Sequence, residues 1–258
     1  MQVIKVDLPQ DINKIELHTF ADEHIGDAQC DMARLKERIK YVADTPNAYC
    51  ILNGDILDNA SRSSIGDIET RELNIMGQIK HGVELFTPIK DKILCITNGN
   101  HENRAYRKEG IDISRLVALQ LGLGDVYSPT SALLFLRFGK MSSHHQNRRV
   151  LYTIYCNHGS GGGRKEGAKA IRLADMSSIV DADIYIHSHT HLGMIMKQGF
   201  FRTDLGTSSV QNVTKLFVNT SSNLNYGGYG EAQEFKPNSK DTPVIYLNGC
   251  KKEMYATL

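Results

Sequence analysis

The sequence predicts an α/β domain in which layered sheets are flanked by outer helices. Three observations carry that expectation. Short apolar runs alternate with helical patterns through the first half of the chain, and strand-like runs dominate after residue 130. Several of the apolar runs also end in a polar turn bearing Asp, Asn or His. At 258 residues the chain can bury a substantial core, and without a linker, repeat or low-complexity tract, residues 1–258 are expected to form one domain.

The predicted strands lie at 15–20 (IELHTF), 48–52 (AYCIL), 92–97 (KILCIT), 132–138 (ALLFLRF), 150–156 (VLYTIYC), 183–187 (DIYIH), 193–198 (GMIMKQ) and 243–248 (PVIYLN). Helical spacing places Met32, Leu35, Ile39 and Val42 on one face after an Asp31 cap. A second helix is expected over 67–86 through Ile68, Ile75, Ile79 and Val83, with Gly77 as its weak point. A third runs from an Asp112 cap to a Gly122 stop, and a fourth covers 165–180.

Formal net charge is +1, so the chain as a whole offers no electrostatic case for nucleic acid or membrane binding, though a local basic patch could still bind nucleic acid. Five scattered cysteines without a CxxC pair read as reduced core thiols of a cytoplasmic protein. The start MQVIKVDLPQ has neither a basic nor an apolar leader segment, and no apolar stretch approaches the roughly 18–20 residues of a membrane span.

Ligand-type residues recur just past these strands. Asp22 and His24 follow the first, Asp55 the second, and Asn100 and His101 the third. His158 follows the fifth, and His189 and His191 the sixth. In open α/β sheets ligands gather outside the carboxyl ends of strands, so residues remote in sequence can converge there. Gly54 and Gly99 let the chain turn where a side chain would crowd the site. Mixed imidazole and carboxylate donors suit Mn²⁺, Fe, Zn²⁺ or Ni²⁺, with Mn²⁺ the first expectation, better than Mg²⁺ or Ca²⁺. Three Asp or Asn oxygens and four imidazoles are too many for one ion and about right for two that share a carboxylate. Two ions ~3.5–4 Å apart clamp a phosphoryl group and supply hydroxide at neutral pH.

The ordered series Asp22-x-His24, Gly54-Asp55-x-x-Asp58, Gly99-Asn100-His101-Glu102, His158 and His189-x-His191 resembles the calcineurin-like metallophosphoesterase superfamily. The resemblance implies a four-layer double β-sandwich flanked by helices, with a dinuclear centre at the strand carboxyl ends. It implies that Asp22, His24 and His191 hold one ion and Asn100, His158 and His189 the other, with Asp55 bridging. His101 would stay off the metals and protonate the leaving group. Two departures stand out. Ser188 occupies a position where the family usually has Gly, and Asn59 and Ala60 follow Asp58 where the protein phosphatases continue Asp-Arg-Gly. Asp58 is expected to orient a ligand or the turn.

Beyond this series, Arg104 is a candidate phosphate contact, with an ion pair to a nearby Glu as the bland alternative. Arg164 ends a glycine run, HGSGGGR, whose backbone N–H groups could cradle phosphate, or which could be a plain loop with a basic end. The tip at 139–149, with His144, His145, Arg148 and Arg149, could grip a nucleic-acid backbone but reads better as a solvated turn. His18 and His81 read as ordinary histidines, His187 as a strand-end residue satisfied by backbone, and Tyr226 and Tyr229 as core packing or a wall of the site. The expected activity is metal-dependent hydrolysis of phosphate esters, phosphodiesters of nucleotides or nucleic acid first. Phosphomonoesters, including phosphoproteins, come second, and a non-catalytic scaffold of the same fold is the remaining alternative.

Overall fold

A computed structural model describes residues 1–59, 73–141 and 148–258. In chain order these form β1 (Gln2–Asp7), β2 (Lys14–Phe20), α1 (Met32–Asp44), β3 (Ala48–Asn53), α2 (Ile75–Phe86), β4 (Ile93–Thr97), α3 (Asn100–Glu109) and α4 (Ile113–Gln120). There follow β5 (Tyr127–Ser128), β6 (Ser131–Phe138), β7 (Val150–Asn157), α5 (Glu166–Asp175), β8 (Ile184–His187), β9 (Met194–Asp204), β10 (Ser209–Asn219), α6 (Gly228–Ala232), β11 (Val244–Asn248) and β12 (Met254–Thr257).

The strands assemble into two mixed six-stranded sheets, ordered β1-β6-β7-β8-β10-β9 and β12-β11-β2-β3-β4-β5. Ile15, Leu17, Ile51 and Cys95 of one sheet pack against Leu134, Tyr152, Ile154, Ile186 and Val218 of the other, forming a core between the two. The far face of the second sheet is covered through Leu35, Ile39 and Val42 of α1, Ile79 of α2 and Val117 of α4. Leu173 of α5 covers Tyr155, Tyr185 and Phe217 on the far face of the first. The layers therefore run helix, sheet, sheet, helix, as expected for an α/β double sandwich.

Local chemistry explains the helix starts. Asp31 accepts a hydrogen bond from Arg34 N at 3.1 Å, and Asp112 accepts from Arg115 N at 3.0 Å. Where 67–86 was expected to be helical, α2 begins at Ile75 behind an Asn74 cap that accepts from Gly77 N at 2.8 Å; Ile68 lies outside the described residues. Gly77 therefore sits in the first turn, where its flexibility does least harm.

Six elements, β1, β5, β10, β12, α3 and α6, escape the sequence pattern, and three of them do so for a plain physical reason. β1 is an edge strand in which only Ile4 is fully buried, and an exposed Val3 beside it blurs the apolar alternation in the sequence. The first half of β10 pairs with β9 as a ribbon extending past β8, exposed on both faces and therefore polar. In α3, NHENRAYRKE offers almost no apolar residue from which a helical period could be read.

For function, what matters is that β2, β3 and β4 run parallel, as do β7, β8 and β10. Their last residues are level: Asn53 pairs with Thr97, and Asn157 and Asn219 both pair with His187. The turns that follow meet at one end of the sandwich.

Candidate metal centre

Backbone conformation marks the site first. Asp22, His24, Asp55, His189 and His191 all take positive φ, between 50° and 65°. Side chains with a Cβ rarely adopt that region, and strain of this kind persists only where the surroundings over-determine it. Here the surroundings are the other turns. Asp22 N donates to Gly54 O at 3.2 Å, His24 N to Asp55 O at 3.1 Å and His189 N to Asp22 Oδ2 at 2.9 Å. His101 N donates to Asp55 Oδ1 at 2.8 Å. Each ligand-bearing turn is thus held by another.

The glycines are spatial requirements. A Cβ on Gly54 (φ 79°) would lie 2.7 Å from both Gly99 Cα and His158 Nδ1. On Gly99 it would lie 2.1 Å from Asp55 N. Gly99 has φ of −105°, so close approach, not the left-handed turn, demands glycine there.

Six of the seven candidate ligands fall into two groups, and the seventh, Asn100, lies against the second. One donor atom each from Asp22, His24 and His191 lie within 4.8 Å of one another, and the same holds for Asp55, His158 and His189. His191 Nε2 is 3.2 Å from Asp22 Oδ1, and His158 Nε2 is 3.2 Å from Asp55 Oδ2. His158 Nε2 is also 3.1 Å from Asn100 Oδ1 and 4.0 Å from Asp22 Oδ1, so the groups adjoin. Asp22 Oδ1 and His24 Nε2 are buried without a hydrogen bond of acceptable geometry. Orphaned buried donors and acceptors are costly unless something else satisfies them. A divalent cation would do so, and this N/O donor set fits one.

Electrostatics divide the imidazoles. Burial, reinforced by the nearby His101, pushes His24 down to about 3, and burial with His158 beside it pushes His189 down to about 4. Both imidazoles are therefore neutral, the form that binds metal. Burial opposes ionisation of Asp22 and Asp55, but the facing histidines outweigh it and hold both carboxyls below their ordinary range. His158 differs: burial opposes its proton, yet Asp55 and Asp22 prevail and raise it to about 10, so this imidazole holds a proton that a cation would have to displace.

His101 stands beside both groups. Its Nδ1 lies 2.7 Å from Asp58 O and 3.3 Å from Asp58 Oδ1, which leaves Nε2 towards the site, 3.9 Å from Asp55 Oδ2. Burial works against its proton, while Asp55 and Asp58 raise its pKa above the ordinary value. Asp58 thus contacts His101, where a ligand or the turn was the expected partner, and His24, Asp58 and His101 also form a third close set of donor atoms.

Several positioning residues were not anticipated. Glu102 is buried and accepts from Asp55 N at 3.0 Å and Leu57 N at 2.9 Å, fixing that turn. Asn59 Nδ2 donates to His101 O at 2.7 Å. Asn53 joins the sheets: its Nδ2 donates to Ser188 Oγ at 2.7 Å and to Asn157 O at 3.1 Å, while its carbonyl accepts from His158 Nδ1 at 2.8 Å. The serine that replaces the expected glycine therefore supplies an acceptor. A signal did exist, since β3, β7 and the buried second half of β10 are apolar runs that each end in Asn.

The remaining candidates divide. Arg104 lies on α3, one turn past His101 and half-buried. Arg164 is exposed, with its guanidinium 5.4 Å from the Phe235 ring. His144 and His145 lie outside the described residues, while Arg149 is 3.4 Å from Asp7. His18 is largely buried beside Glu16 and Tyr41. His187 is satisfied by the Asn219 side chain, not by backbone as expected. Tyr226 is 52 % exposed, which overturns core packing for it. Asn223 and Ser222, just upstream, do wall the site, donating to Asp22 O from backbone N and Oγ, each at 3.1 Å.

No protein-family model matches the sequence, and no curated protein matches it. Solved structures do. A calcineurin-like phosphoesterase from Bacillus subtilis is 12 % identical with a TM-score of 0.40, over 95 % of this chain and 90 % of the other. A metallophosphoesterase from Sphaerobacter thermophilus is 13 % identical with a TM-score of 0.39, over 91 % and 84 %. A Pseudomonas putida nuclease is 12 % identical with a TM-score of 0.35, over 93 % and 87 %. At these values the likeness is distant, and the chemistry of the site is read from its own residues.

Proposed function

We propose that the protein is a metal-dependent phosphoesterase whose two divalent cations are held by Asp22, His24 and His191 on one side and Asn100, His158 and His189 on the other, with Asp55 shared. The reading rests on one observation above others: two adjoining sets of buried donor atoms, with His101 turned towards them. When bound, the ions would act as Lewis acids on the phosphate and lower the pKa of water. Mn²⁺ is the proposed metal, on the mixed donor set alone.

The chain's own residues would do the rest. His101 donates Nδ1–H to Asp58 O, so Nε2 is the atom that carries a proton to the leaving oxygen. Burial works against that proton, but Asp55 and Asp58 favour it and raise the pKa above the ordinary imidazole value. Asn59 and Glu102 brace the first turn of α3 and so fix where His101 stands. Arg104 is the proposed contact for a non-bridging phosphate oxygen and Arg164 a more distal one.

Phosphodiesters are the proposed substrates. The supporting feature is Asn59, whose side chain braces His101 at the position where protein phosphatases of the resembled superfamily place an arginine. Purified protein should be assayed against bis-p-nitrophenyl phosphate and p-nitrophenyl phosphate across Mn²⁺, Zn²⁺, Fe²⁺ and Ni²⁺, with bound metal measured in the same samples. Faster turnover of the diester supports the proposal. Faster turnover of the monoester reassigns the substrate, and a fully metallated protein inert to both refutes hydrolysis.

A further inference from the structure

Asn219, the last residue of β10, lies beyond every sequence block that supplies a candidate ligand. It is 1 % exposed. Its Nδ2 reaches Thr190 Oγ1 at 2.9 Å, Leu192 O at 2.6 Å and Thr220 O at 3.1 Å. Its Oδ1 lies 2.8 Å from His187 Nδ1. In register, Asn219 is paired with both His187, the end of β8, and Met194, the start of β9. One side chain thus spans the mouth of the 188–193 turn and bonds to its interior.

That turn is the strained one. His189 and His191 both hold positive φ, 65° and 54°, on either side of Thr190. Side chains with a Cβ hold such a conformation only where the surroundings impose it. A side-chain amide gripping Thr190 between them, and Leu192 beyond them, is a restraint of that kind. His187 extends it. A Cβ on Gly159 would lie 2.2 Å from His187 Nε2, so this ring is wedged against the turn that carries His158.

We propose that Asn219 is a positioning residue for the metal centre: it locks the His189–Thr190–His191 turn in the shape that aims both imidazoles at the site, and through His187 it sets that turn against His158. The inference rests on the proposed reading of these histidines as ligands. Residues that orient metal ligands from behind typically change affinity 10–100-fold when lost.

The test is Mn²⁺ titration by calorimetry into EDTA-stripped, full-length protein, with thermal melting in EDTA alongside. Asn219→Asp keeps the volume and removes the amide donor, and Thr190→Val removes the acceptor between the histidines. Asn219→Asp should weaken Mn²⁺ binding by about 10–100-fold and Thr190→Val by a smaller factor, the latter without lowering the melting temperature in EDTA. A merely structural role would lower that melting temperature and leave affinity alone. Should Asn219→Asp not fold, Thr190→Val decides. Parent-like affinity in the folded variants overturns the proposal. His191→Ala separates the two levels. If the parent binds Mn²⁺ and His191→Ala does not, the metal reading stands whatever Asn219 does. If the parent itself takes up no Mn²⁺, the functional reading fails and carries the inference with it.

Discussion

His101 shows how finely the site is specified at the level of single residues. Two bonds from the 58–59 turn, one to its ring and one to its carbonyl, set the proposed proton donor apart from the candidate ligands packed around it. Replacing it with Asn should lower kcat by about 10²–10⁴-fold while metal content stays near that of the parent. Loss of metal in that variant would mean that His101 is itself a ligand, as the third close set with His24 and Asp58 permits. The cysteines give a second test at this scale. Cys30, Cys50, Cys95 and Cys156 are buried and Cys250 is partly exposed. Burial pushes the Cys30 thiol up to about 12, far from the reactive thiolate. A disulfide reagent should therefore label one thiol per native chain, and Cys250→Ser should abolish that reaction. A second fast thiol would show that the core opens readily.

At the scale of elements, α1 is tied to the first ligand turn by charge. Arg38 on α1 donates from Nη1 to Glu23 Oε1 and from Nη2 to Thr19 O, both at 2.7 Å, and Glu23 is fully buried between Asp22 and His24. Removing one partner of a buried pair leaves an uncompensated charge, so Arg38→Ala should cost about 3–5 kcal/mol in urea unfolding. Adding Glu23→Gln to that variant should restore part of the loss. A cost below about 1 kcal/mol would mean that the pair behaves as a surface one. The β3 turn depends on space instead. Gly54→Ala adds a Cβ 2.7 Å from Gly99 Cα at a φ of 79°, and should destabilise the fold by about 2–4 kcal/mol. Melting indistinguishable from the parent would show that the β3 and β4 turns can part without penalty.

For the molecule as a whole, folding gathers Asp22, Asp55 and four imidazoles into one end of the sandwich, with buried atoms left unsatisfied. Such an arrangement should lean on its ions for stability. At an ion concentration of about 100 Kd, linkage contributes roughly 2.7 kcal/mol, which in a chain of this size corresponds to a Tm shift of about 5–10 °C. EDTA should produce that drop and excess Mn²⁺ should reverse it. An unchanged Tm after complete stripping would show that the metal-free donors satisfy one another. Among the described residues no helix is long and apolar enough to cross a membrane.

Much of this was legible in the sequence, because the signals are local. Apolar runs name strands, Asp31 and Asp112 name helix starts, and the glycines at 54 and 99 name the turns behind the ligands. What lacked a local signal was missed: α3 has no apolar face, β1 is an edge, and half of β10 is a two-stranded ribbon in water. The sequence by itself determined which side chains could ligate, since donor chemistry is a property of residue type and the turns that carry them follow directly from strand ends. Only the tertiary structure decided how those side chains are held. Asn53, Asn59, Glu102 and Asn219 act across 27 to 135 residues of chain. Hydrogen bonds over such separations leave no period in a sequence, and they exist only once the strand ends have been brought level.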